Sequence, residues 1–213
     1  MSKIKLIIVG LIATFAFSAL AASASAAPEW HVNGSQLLTT VGLSTTTKVE
    51  QSLVFTIPAL PLTLSCASLS GVKPELVAKA SGRASELMFG GCKVPTGPSG
   101  CELEESTIPT EPVEALLATG TASPDDKVAI KPQKSKNVFA EVLFNRHCSG
   151  LGTEPIDGEI VLDAPTGQTE LVEQPVVGLS TKEPAGLTVA RAAAYLSGQA
   201  NLKLLSGLKW SFK

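Results

Sequence analysis

Hydrophobic side chains recur at every second position through much of the chain, and that spacing limits the fold more than any other feature. Successive side chains of a strand point to opposite faces, so period-two alternation marks a strand with one face buried. In TKVEQSLVFTI, Val49, Leu53, Phe55 and Ile57 share one face, while Lys48, Glu50, Ser52 and Thr56 share the other. LPLTLSC puts Leu60, Leu62, Leu64 and Cys66 in phase, NVFAEVLFNRHC does so for Val138, Ala140, Val142, Phe144 and Cys148, and DGEIVLD for Ile160 and Leu162. Near the C-terminal end, Leu202 and Leu204 precede Ser206-Gly207. Leu208, Trp210 and Phe212 then alternate with Lys209 and Ser211, which predicts a closing hairpin. Gly and Pro punctuate these short runs. The pattern predicts an all-β protein, a single antiparallel β-sandwich or barrel-like domain.

Two stretches fit either element. PVEALLATG reads as a helix with Pro112 at its first position and Gly120 after its end, or as a strand with Val113, Ala115 and Leu117 in phase. VARAAAYL is alanine-rich, which favours helix, yet Val189, Arg191, Ala193 and Tyr195 fall on one strand face. The β reading is preferred for both.

The N-terminal residues set the expected compartment. Lys3 and Lys5 precede an apolar run from Leu6 to Leu20, and small residues follow as far as Ala26. That order predicts a secretory signal peptide over 1–26, cut after Ala24-Ser25-Ala26, with a single secreted β domain over 27–213. The run is shorter than the roughly 20 residues of a membrane span, and no second long apolar segment follows. Cleavage takes Lys3 and Lys5 out of the 17 basic residues. The remaining 15 stand against 19 acidic ones, a net charge of −4. A mildly acidic domain with scattered charges carries no electrostatic footprint for nucleic acid.

Cys66, Cys92, Cys101 and Cys148 all fall in the mature part. None forms a C-x-x-C pair of the kind zinc sites use, and an even count in an exported chain predicts two disulfides. Of three possible pairings, Cys92–Cys101 with Cys66–Cys148 is favoured. KVPTGPSG turns back on itself at Gly97 and Gly100. Cys66 and Cys148 each end an alternating run and are expected to meet from neighbouring strands.

PEWHVNG at the mature start, a cysteine after LTLS, FGGC, a second cysteine after a short loop, a later strand ending in cysteine and a closing SGLKW together give a recognisable pattern. The chain resembles a group of secreted proteins of soil actinobacteria that has no assigned activity. The resemblance implies export and an all-β fold, and supplies no catalytic residue.

Residues able to do chemistry are few. His31 in WHVNG and His147 in FNRHC are the candidate bases, but no G-x-S-x-G elbow accompanies them. Asp157, Glu159 and Asp163 fall on one odd-numbered face opposite Ile160 and Leu162, as a solvated strand face would. No calcium-loop spacing and no phosphate-binding glycine loop is found, so no metal or cofactor is expected. Trp210 is expected to pack in the core, Trp30 near the mature start to be partly exposed with packing ahead of ligand binding, and Asn33-Gly34 to form a hairpin turn ahead of any role in glycosylation. The stiff 92–101 loop resembles the substrate-like loops of small protease inhibitors, although a simple clip on a turn accounts for it. These residues favour a non-catalytic protein with a binding or structural role at the cell exterior, its partner an extracellular protein or an envelope polymer. A secreted hydrolase with a dispersed site is the alternative, and a protease inhibitor acting through residues 92–101 a further one.

Overall fold

The computed structural model describes residues 28–44, 46–119, 126–134, 137–148, 150–178 and 187–212. The expected signal peptide over 1–26 lies outside them. Among the described residues there is no helix, and therefore none long and apolar enough to cross a membrane. The strands in chain order are β1 (Trp30–Val32), β2 (Ser35–Gln36), β3 (Val41–Gly42), β4 (Thr46–Ile57), β5 (Leu62–Cys66), β6 (Ser68–Val72), β7 (Glu75–Val77), β8 (Ser81–Ala84), β9 (Glu86–Gly90), β10 (Lys93–Thr96), β11 (Ile108–Pro109), β12 (Val113–Thr119), β13 (Asp126–Pro132), β14 (Val138–Leu143), β15 (Thr153–Asp157), β16 (Ile160–Asp163), β17 (Glu173–Gly178), β18 (Thr188–Val189), β19 (Ala192–Ala193), β20 (Tyr195–Lys203) and β21 (Trp210–Phe212).

The principal sheet is antiparallel and curls until it meets itself. Its strands run β20-β17-β16-β13-β12-β8-β7-β3. The last of these returns to the end of the first through a Leu43–Leu204 bridge, with Ser44 N–H donating to Lys203 C=O (2.7 Å) and Leu205 N–H to Gly42 C=O (3.0 Å). Eight strands thus close a barrel, which leaves no free edge around the circuit. Alternation decides which side chains point inward. Val113 and Leu117, Ile160 and Leu162, and Leu196 and Ala200 are buried, as the in-phase pattern requires.

A second layer packs beside the barrel. β4 runs along β20 on one side and is shared between β5 and β6 on the other. β6 continues into β9 and β11, and β14-β15-β18-β19 form a four-stranded sheet. Leu53, Phe55 and Ile57 of β4 and Leu62, Leu64 and Cys66 of β5 are buried in the expected phase. The rings of Phe55, Phe89 and Phe139 stack in a row, with centroids 5.4 and 6.4 Å apart. A bulge between Val138 and Ala140 lets Phe139 join that row while Ala140, Val142 and Phe144 keep the predicted phase. Another bulge in the β20–β4 pairing lies at Gly198 (φ 119°), where a Cβ would stand 2.5 Å from Ser52 C=O.

One end of the barrel is covered by a three-stranded sheet, β2-β1-β21. Trp30 packs on Trp210 and Phe212 with ring centroids 5.8 and 5.6 Å away, and its Nε1 donates to Ser81 C=O at 2.7 Å. Phe212 in turn fills the space that a side chain on Gly167 would need. Both tryptophans are therefore core residues, Trp210 as expected and Trp30 more deeply buried than expected. Asn33 (φ 48°) and Gly34 (φ 77°) form the two-residue turn between β1 and β2.

Four expectations are corrected. Ser206-Gly207 makes a turn, but β20 and β21 do not pair with each other. β21 instead pairs with β1, and Leu171 bridges to Trp210 on its other side. The hairpin fails because Leu205–Lys209 are exposed and give the two runs no shared buried face. The 112–119 stretch, by contrast, is strand as the preferred reading has it. In the 189–196 stretch no single face forms: a turn at Ala190-Arg191 breaks it into β18, β19 and the start of β20. Gly158 (φ 100°) likewise separates Asp157 on β15 from Asp163 on β16, so the acids do not share one strand. The fourth correction concerns the disulfides and is given below.

The Ala190-Arg191 turn carries backbone cost. Both residues have positive φ (50° and 62°) without being glycine or asparagine. The left-handed conformation costs about 1–2 kcal/mol for such residues, less what glycine loses in chain entropy. The double change Ala190→Asn and Arg191→Gly should raise the free energy of unfolding by about 1 kcal/mol. Urea titration would show this as a higher midpoint at unchanged slope.

Candidate functional site

The cysteines pair as Cys66–Cys92 and Cys101–Cys148, which overturns the expected Cys92–Cys101 and Cys66–Cys148 bridges. The reason lies in a ladder between β5 and β10. Lys93 stands opposite Ser65, so the next step along the antiparallel register sets Cys92 against Cys66. At the other bridge, Asn145 N–H donates to Glu102 C=O (2.9 Å), and Leu103 bridges to Phe144. The Asn145 side chain accepts from Glu102 N–H and His147 N–H and donates to Gly100 C=O. That knot holds Cys101 beside Cys148. Residues 92–101 are therefore a strand added to the edge of β5 and an exposed turn, anchored at both ends to other parts of the chain. The self-closed loop on which an inhibitory role would depend is not formed.

Neither histidine assembles a nucleophilic site. His147 is exposed, lies against Gly100, and accepts a 3.4 Å hydrogen bond from Arg146 Nε. His31 sits on β1 directly opposite Ser211 of β21. Yet its Nδ1 and the Ser211 hydroxyl are both buried without a hydrogen-bond partner, and Ser211 has no exposed surface. A base and a hydroxyl that do not bond, with the hydroxyl sealed from solvent, lack the geometry of a triad. Gln174, buried in the wall, is satisfied: its Nε2 donates to Thr169 C=O and Trp210 C=O, both at 2.6 Å, so it ties β17 to the clasp. Among the described residues no group of three or more histidines, cysteines or acids is placed to hold a metal.

Beside a larger groove of about 420 Å³ lined by Lys73, Glu75, Arg83, Ser85 and Gln133, the most apolar recess lies between the inner face of the barrel and strands β6 and β9. A cavity of about 100 Å³ lies there, walled by Ala84, Ala115, Ile130, Leu162, Val176 and Leu202 among others and floored by the Trp30–Trp210–Phe212 cluster. A smaller one of about 30 Å³ lies further along the interior, toward Leu53, Phe89 and Leu196. Glu75, Arg83 and Lys203 touch the first cavity from strands whose neighbouring residues, Leu76, Gly82, Ala84 and Leu204, are buried. Their charged ends face outward, where Arg83 pairs with Glu75 (2.9 Å) and Lys203 with Glu173 (3.8 Å). The inner wall is thus largely apolar, with Ser44, Ser70 and the unpartnered Trp210 indole N–H as its polar exceptions. Sequence reasoning placed many of these residues in the core but not around a space. The available sign was the run of small residues Gly82, Ala84 and Ala115 at inward positions of adjacent strands, too small to fill the middle.

No family model, curated protein or solved structure matches this chain.

Proposed function

We propose that this chain is an exported, non-catalytic binding protein that holds a small ligand within its barrel. The observation that carries this reading is a largely apolar cavity walled by the curled sheet together with β6, β9 and the Trp30–Trp210–Phe212 cluster. Eight-stranded barrels have an interior just wide enough to be packed solid or to take one small molecule. Here inward glycine and alanine at Gly82, Ala84 and Ala115 leave room. General acid–base or nucleophilic chemistry requires titratable groups within hydrogen-bond reach of the reacting atom, and the ones that touch this cavity, Glu75, Arg83 and Lys203, turn their charged ends into ion pairs at the surface. Two disulfides support an oxidising compartment, in line with export.

Thermal unfolding against a panel of small molecules tests the reading. A ligand at about a hundred times its dissociation constant adds about 2.7 kcal/mol, which raises the midpoint of a domain this size by about 5–10 °C. The increase should vanish in Ala115→Leu, which fills the cavity. Turnover of ester, glycoside or peptide substrates that persists in Ala115→Leu, with no ligand-dependent rise, would replace the proposal by a hydrolase.

A further inference from the structure

We infer that the molecule taken into the barrel is uncharged and hydrocarbon-like, on the scale of benzene; this rests on the binding reading above and specifies its ligand. Three features of the cavity lead there. The first is polarity. The wall is apolar apart from the serines Ser44 and Ser70 and the Trp210 indole N–H, which is buried without a hydrogen-bond partner, and the charged residues of the same strands turn outward into ion pairs with one another. A ligand carboxylate, ammonium or sugar inside would lose its water and find too few polar groups on the wall to replace it, which disfavours it heavily. The second is size. The main cavity measures about 100 Å³, somewhat below the roughly 150 Å³ apolar cavity that stays dry and accepts benzene or xenon. The third is room to adapt. Leu69, Leu87, Ile130, Leu162 and Val176 line both this cavity and the 30 Å³ one beyond it. Aliphatic side chains change rotamer without breaking hydrogen bonds, so this partition can yield and join the two spaces for a flat or slightly elongated guest.

Methyl NMR of the mature protein, reading Ile130, Leu162 and Val176, tests this with four probes of similar size: benzene, cyclohexane, phenol and benzoate. Benzene and cyclohexane should shift these methyls saturably. Phenol should bind roughly tenfold or more weakly, and benzoate should leave them unmoved. Ala115→Leu should abolish the benzene shifts. Val176→Ile adds one methylene, leaves the fold intact and should weaken benzene binding several-fold. Benzoate binding as tightly as benzene, on the same methyls, would overturn the assignment of ligand class while leaving a barrel-binding protein. Methyls unmoved by all four probes would overturn the class and the binding reading together.

Discussion

Removal of the Cys101–Cys148 bridge, by changing both cysteines to alanine, should lower the free energy of unfolding by about 4 kcal/mol. The bridge closes a loop of 47 residues, and the chain-entropy account of a disulfide gives this magnitude for that length. Cys66–Cys92 closes 26 residues and is expected to contribute about 3.5 kcal/mol. The two loops neither overlap nor nest, so their effects should be close to additive. Losing both should cost about 7–8 kcal/mol, a large part of the 5–15 kcal/mol typical of a folded domain. Guanidinium titrations of the two double variants and of the fully substituted protein would measure this. Peptide mapping without reductant should recover Cys66 joined to Cys92 and Cys101 joined to Cys148. Recovery of a Cys92–Cys101 peptide would contradict the β5–β10 register.

Trp30→Ala should cost about 3–5 kcal/mol, near the upper end for single core substitutions. Trp30 is only 2% exposed and is the ring on which Trp210 and Phe212 both pack. Its indole N–H also satisfies Ser81 C=O on β8, which would be left bare. The substitution therefore removes apolar contact, opens a cavity and orphans a carbonyl at one stroke. Trp30→Phe keeps most of the packing and loses only the hydrogen bond, so it should cost about 1–2 kcal/mol. Denaturation curves separate the two. If Trp30→Ala left the midpoint within experimental error, the clasp would not be a structural part of the barrel.

Much of the fold is legible in local alternation. Leu53, Phe55 and Ile57, Leu62 and Leu64, and Ile160 and Leu162 point where period two sends them. Asn33-Gly34 turns because those residues tolerate positive φ. What alternation cannot convey is partnership. Ser206-Gly207 lies between two apolar runs just as a hairpin turn does, but β21 finds its partner in β1, far away in sequence. The cysteines follow the same rule. A short spacing with glycine and proline made Cys92–Cys101 the low-entropy closure, yet KVPT extends along β5, and the register of that ladder chose Cys66. The Ala190-Arg191 turn lacks the residues that usually announce one, so a strand face was read straight through it. The cavity is the least legible feature. Alternation tells which side chains face inward, whereas an empty centre depends on how many strands surround it.

The clasp and the seam both join residues from opposite ends of the chain: Trp30–Val32 with Trp210–Phe212, and Leu43 with Leu204. A polypeptide made N-terminus first has no means of completing either contact until residues 204–212 are available. Such late, long-range closure slows folding and keeps the chain open in the meantime. If the chain is exported as proposed, that delay would keep the polypeptide in a form a translocation channel can pass.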